Sequence, residues 1–223
     1  MSNSEKPLTE KESLDLIAQM IAQAKQSYYD TGLSAMMWGL VIAVCSLVRL
    51  SEIQFKYELP VDIYWLTFVA IIPQVLISIR ESKERKVRTY DDIYMDYLWL
   101  AFGISIFLLI FIINAIFHAW PGVATDPIVT GESRKPGFYE FVAPLFLLLY
   151  GIPTFITGAA CKFRPMLIGG LLCWICCIIT IYTTIKIDLV LTAFSAIAAW
   201  FIPGIVMQKE YRRAKRELAP ADV

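Results

Sequence analysis

The chain has 223 residues, equal numbers of basic and acidic side chains, 57% hydrophobic residues and a mean hydropathy of +0.58. That apolar fraction exceeds what soluble globular domains carry and places the chain in the membrane class, as one domain. The balanced charge gives no electrostatic reason to expect a nucleic-acid partner. All five cysteines lie inside or at the edge of apolar runs, so no extracellular disulfide framework is indicated.

Residues 9–31 predict a cytosolic amphipathic helix, within an N-terminal region of residues 1–32. The capping box Thr9-Glu-Lys-Glu12 begins it, because the Thr9 and Glu12 side chains can each bond the other residue's amide. An apolar seam at alternating spacings of three and four follows, made of Leu14, Ile17, Ile21, Ala24 and Tyr28. Such a seam either docks on the bundle's own cytosolic face or binds in trans, since these positions also fit a heptad. Leu14, Ile17 and Ile21 are therefore the partner-binding candidates, and a homo-oligomer stays open.

Six uncharged runs follow, and each is long enough to cross a bilayer as a helix. A crossing needs roughly 20 apolar residues, and hydrocarbon requires helices because it offers the backbone no hydrogen-bond partner. The runs are residues 31–48, 63–79, 97–117, 141–161, 165–185 and 189–208. They predict an all-α polytopic membrane bundle of six transmembrane helices over residues 33–207, followed by a basic cytosolic tail over residues 208–223.

The distribution of basic residues predicts how the chain crosses the bilayer. Fifteen of the 20 Lys and Arg residues fall in the two termini and in the second and fourth loops, and the other loops hold five. Because basic residues concentrate on the cytoplasmic side of membrane proteins, both termini are expected in the cytoplasm.

An Ile-Pro step recurs in the second, fourth and sixth runs, at Pro73, Pro153 and Pro203. These runs also begin near an acid, so the sequence predicts three similar helical hairpins. The alternative explanation of these shared features is the ordinary composition of membrane helices. Prolines free backbone carbonyls in the preceding turn, here beside the polar residues Gln74 and Thr154. These five residues are transport candidates.

Asp96, at the start of the third run, is the remaining transport candidate, because acids within membrane helices are functional candidates by default. Asp96 is also close enough to the surface to pair with the basic second loop. Elsewhere, Gly169-Gly170 would permit close contact between helices.

No catalytic, cofactor-binding or metal site is predicted, and therefore no enzyme. Cys173 and Cys176 have the C-x-x-C spacing, but their mid-run position favours apolar packing over redox chemistry. The single histidine, His118, has no second ligand at metal-binding spacing.

Four segments resemble uncharacterised multi-pass proteins of the bacterial inner membrane: Thr9–Lys25, Met37-Trp38-Gly39, Lys162–Gly170 and Ile202-Pro203-Gly204. The resemblance implies a location in the bacterial inner membrane, and it implies no activity. Two hypotheses on function follow from the residues. The first is a regulatory or scaffold protein that binds a protein partner or anionic lipid at its cytosolic face. The alternative is a small-solute or ion permease that uses the proline-containing spans and Asp96.

Overall fold

The computed structural model describes residues 31–84, 90–120 and 138–217, which are helical apart from short connections and contain no β-strand. The helices are α1 (Leu33–Phe55), α2 (Trp65–Glu84), α3 (Tyr90–Ala119), α4 (Val142–Ala160, after a 3-10 turn at Phe138–Phe141), α5 (Arg164–Thr180), α6 (Ile185–Ala196) and α7 (Ile202–Glu217). A π-helical turn, Ile197–Phe201, joins α6 to α7. The all-α prediction is confirmed. The predicted N-terminal helix, with Leu14, Ile17 and Ile21, lies outside the described residues.

Five helical stretches are long and apolar enough to cross a membrane, as expected for a membrane protein. They are Leu33–Phe55, Trp65–Lys83, Ile93–Ala119, Phe138–Ala160 and Ile185–Ala214. A further apolar helix, Arg164–Thr180, has 17 residues, which corresponds to about 26 Å. The helical prediction for the apolar runs therefore holds, and five of the six predicted crossings meet the length of a span.

Most of the helices extend beyond the uncharged runs that predicted them, and α1 and α7 are examples. α1 passes Arg49 because this side chain forms an ion pair with Glu52, at 3.1 Å and one turn further along the same helix. The other Glu52 oxygen accepts the backbone N–H of Leu59, at 3.1 Å. α7 continues through the basic residues that follow Met207 and ends at Glu217.

The tightly packed part of the bundle lies where glycines let helices approach. A Cβ on Gly170 of α5 would lie 2.7 Å from the backbone nitrogen of Phe155 on α4. A Cβ on Gly169 would lie 2.6 Å from the Cα of Ala199 in the π turn. Small residues permit such contacts in membranes, so the close helix contact expected at Gly169-Gly170 is confirmed.

Helices α2 and α3 stand at the edge of this packed part. α2 packs mainly on α1, and α3 packs mainly on α4. Both are long apolar helices with little buried surface. The space between them and the rest of the bundle is a cleft of about 1840 Å³.

Candidate functional site

The cleft extends along most of the length of the bundle. Its lining on α3 runs from Met95 to Phe117, a separation of about 33 Å at the helical rise. This length matches the hydrocarbon core of a bilayer, and the volume exceeds the roughly 300–1,000 Å³ of ordinary ligand pockets. We name its two extremes the Asp188 end, with Arg49 and Asp62, and the Asp96 end, with Lys162.

Helix α2 gives the cleft a wall of mixed polarity, in which a polar stripe runs beside the apolar Trp65, Phe68 and Ile71. Thr67, Gln74 and Ser78 line the cleft at spacings of seven and four residues, which places them on one face of the helix. The opposite face is exposed and apolar, with Val69, Ile72 and Leu76. Inside a membrane, a polar stripe of this kind is stabilised by water or protein rather than by lipid.

Helix α3 gives the cleft a mostly apolar wall. Its lining stripe includes Phe102, Ile106 and Ile110. At Gly103, which also lines the cleft, an added Cβ would meet no atom within 4 Å. The cleft is therefore open at the middle of α3.

The ionisable side chains on the described cleft wall are mainly acidic. The cations are Arg49 and Lys162. The carboxylates are Asp62, Glu81, Asp96, Asp188 and Glu210. The chain as a whole has no net charge, so this excess of acids belongs to the cleft, where it raises the local concentration of cations.

Asp188 is the most deeply buried of these carboxylates, with 1% of its surface exposed. It lies in the first turn of α6, where the helix N-terminus favours a negative charge. The hydroxyl of Thr183 donates to its Oδ1. Its Oδ2 is buried and has no hydrogen-bond partner among the described residues. One carboxylate oxygen at this end of the cleft therefore lacks a hydrogen-bond partner among the described residues.

An aromatic cluster lines the cleft beside the π turn, whose Trp200 lies 12 residues along the chain from Asp188. The rings of Tyr150 and Trp200 lie 4.8 Å apart, and Phe102 of α3 lies 6.1 Å from each. Trp200 is fixed by its Nε1, which donates to the Thr154 hydroxyl at 2.7 Å. The π turn accompanies Pro203, which lacks a backbone N–H, and the Ile202 N–H bonds the Ile197 carbonyl.

The structure separates the predicted transport residues into three groups. Asp96 and Gln74 line the cleft, and the Gln74 Oε1 accepts the Trp38 Nε1–H of α1 at 3.0 Å. Thr154, Pro153 and Pro203 are buried in the packed part of the bundle. Pro73 is exposed on the outward face of α2. The three prolines therefore do not occupy equivalent environments.

Sequence reasoning missed Thr67, Ser78 and Asp188 as cleft residues. The helical spacing of Thr67, Gln74 and Ser78 was a readable signal, because these positions share one face. Asp188 was interpreted only as an acid at the start of a run. Its burial depends on neighbouring helices, which the local sequence does not specify.

The cysteines and the metal-binding residue types form no candidate centre in the described part of the chain. Cys173 and Cys176 are free and buried among apolar side chains of the packed bundle. No group of three His, Cys, Asp or Glu side chains among the described residues is arranged to hold a metal ion.

Comparison with known proteins adds no relative. The chain matches no protein-family model, and neither a curated protein nor a solved structure matches it.

Proposed function

We propose that this protein is a membrane permease that moves a cation along the cleft. The observation that carries the proposal is the orientation of α2. This helix turns Thr67, Gln74 and Ser78 into a cleft as long as a bilayer core is thick, and its outward face is apolar. A polar stripe facing an open cleft supports a hydrated path.

The charge of the lining supports a cation as the solute. Five carboxylates and two cations line the cleft, and clefts of one sign with apolar walls concentrate ions of the opposite sign. Asp96 lies at one end of the path and Asp188 at the other. In this proposal both acids attract the solute, whereas the sequence alone suggested Asp96.

We further propose six crossings of a bacterial inner membrane, with both termini in the cytoplasm. The crossing beyond the five long stretches is α5, the fifth in chain order, which packs against α4 and α6. The excess of basic residues in the termini and the even-numbered loops supports this orientation.

Reporter fusions test the orientation. A topology reporter placed after Lys56 should report the external side, and reporters after Lys86 and at the C-terminus should report the cytoplasm. A C-terminal reporter on the external side would contradict six crossings, because an even number of spans returns the chain to its starting side.

Uptake into proteoliposomes tests transport. The purified protein should admit rubidium-86 or radiolabelled methylammonium faster than protein-free liposomes do. Gly103→Trp should reduce this uptake, because its side chain enters open space on the cleft wall. The matched control is Ala101→Trp, on the exposed face of α3 that does not line the cleft. Wild-type uptake no faster than the leak for both probes, or equal loss in the two variants, would overturn the proposal.

A regulatory or scaffold function remains the second candidate, supported by α7. This helix continues from the last span and exposes Lys209, Arg212, Arg213 and Arg216. Such a cluster attracts anionic headgroups at a cytoplasmic surface. Native mass spectrometry tests the lipid-binding form. Wild-type protein should retain phosphatidylglycerol, a variant with all four residues changed to Gln should lose it, and equal retention would contradict this function.

A further inference from the structure

We infer that the cleft binds an ammonium amphiphile, with the ammonium group at Asp188 and the apolar chain along the slot between Asp188 and Trp200. This inference rests on the proposed function, because it takes the cleft to be the solute path and names the class of solute. Its parts are a buried carboxylate with one unpartnered oxygen, a largely apolar slot, and an aromatic cluster at the far end of that slot.

The carboxylate selects the charge of the ligand. A buried carboxylate oxygen without a partner is costly, and a cation that reaches it removes that cost. The Thr183 hydroxyl satisfies Oδ1 and leaves Oδ2, while the side chain contributes to the cleft wall. The carboxylate of Glu140 is close enough to interact electrostatically with Asp188. Glu140 does not line the cleft, and its charge adds to the negative potential near Asp188.

Arg49, the cation at this end of the cleft, already has a carboxylate partner. Its Nη1 donates to Glu52 at 3.1 Å. Arg49 also belongs to α1, whereas Asp188 opens α6. Glu52 therefore offsets part of the positive charge at this end of the cleft.

The slot selects a ligand with an apolar chain. Asp188 and Trp200 are 12 residues apart along one continuous helical run, about 18 Å at the helical rise. On this run Leu189 and Thr192 line the cleft between them, and the Thr192 hydroxyl donates to the Asp188 carbonyl. Ile42 of α1, Phe146 of α4 and Ile113 of α3 line the same cleft, together with the polar side chains of Ser46 and Asn114. A small hydrated cation would leave this surface unused, whereas an alkyl chain buries it at about 25 cal/mol per Å².

The aromatic cluster lines the slot at its far end. Phe102, Tyr150 and Trp200 offer ring faces and edges to the end of the chain. The same rings offer a resting place to the ammonium group as it moves along the cleft, because aromatic faces attract cations.

Equilibrium binding of dodecyltrimethylammonium tests the inference. The intact protein is held in phosphatidylcholine nanodiscs, and the radiolabelled ligand is kept below its micelle concentration, with empty nanodiscs for background. Wild-type protein should bind it saturably and more tightly than either tetramethylammonium, which lacks the chain, or dodecanol, which lacks the charge. Asp188→Asn should weaken binding at least about tenfold, because it removes the negative charge that attracts the ligand's trimethylammonium group.

Two further variants separate a site defect from a folding defect. Glu58→Gln removes an acid that is exposed in the connection between α1 and α2 and does not line the cleft, so binding should be unchanged. Gly103→Trp fills the cleft beside Phe102 and leaves Asp188 intact. It should weaken binding of the dodecyl ligand and spare tetramethylammonium.

The outcomes distinguish this inference from the permease itself. Equal affinity in wild type and Asp188→Asn, or the absence of saturable binding in wild type, would overturn the inference. If the protein transports rubidium or methylammonium into liposomes but does not bind dodecyltrimethylammonium, the inference is overturned and the permease proposal stands. Binding that depends on Asp188, in a protein that carries neither probe, would support the site and contradict transport.

Discussion

Thr154 positions a residue of the cleft rather than contacting the path itself. It is fully buried, its hydroxyl donates to the Tyr150 carbonyl at 2.7 Å, and it accepts the Trp200 Nε1–H at 2.7 Å. One hydroxyl therefore joins α4 to the π turn and fixes a ring of the aromatic cluster. The sequence predicted polarity at Thr154 for transport, and the geometry gives that polarity a structural role.

Thr154→Val should destabilise the protein by about 1–3 kcal/mol, because it leaves the Trp200 N–H buried without an acceptor in nearly the same volume. Thermal or chemical unfolding in detergent, followed by tryptophan fluorescence, measures the loss. Thr154→Ser keeps the hydroxyl and is the matched control, with a smaller expected loss. Equal stability of the Val variant and wild type would show that the bond contributes nothing to stability.

At the scale of the helices, the sequence predicted well which segments are helical and in what order they follow. It predicted poorly which face of each helix contacts its neighbours. Long uncharged runs predicted each helix because only helices satisfy the backbone in hydrocarbon. Ends were less certain, as the Arg49–Glu52 pair shows, because an ion pair lets a helix continue past a charge. Faces were hard to assign because lipid is as apolar as a helix–helix contact, so hydrophobicity does not distinguish them.

Small and polar residues are what reveal a contact face in such helices. Gly169-Gly170 marked a close contact, and Thr67, Gln74 and Ser78 marked the cleft side of α2. No comparable signal singled out Asp188 over Asp96. Both acids lie near a run boundary in the sequence, and only the packing around α6 buries Asp188 and leaves Asp96 exposed.

On the scale of the whole molecule, a packed group of helices carries two loosely packed ones. The outward faces of α2 and α3 are exposed and apolar and suit contact with lipid. Their inward faces border the cleft. A permease requires that the inward space hold water through the thickness of the membrane, whereas in a bundle without transport lipid would fill that space.

Cysteine accessibility at mid-membrane depth tests that requirement most directly. Ile106 lines the cleft, whereas Ile104 does not line it and is 53% exposed on another face of α3. Membranes with Ile106→Cys or Ile104→Cys are treated with a charged, membrane-impermeant thiol reagent, and labelling is counted above the wild-type background. The account predicts rapid labelling of Ile106→Cys and little labelling of Ile104→Cys, because a thiolate forms in water and not in hydrocarbon. Equal resistance of both positions would contradict a hydrated cleft.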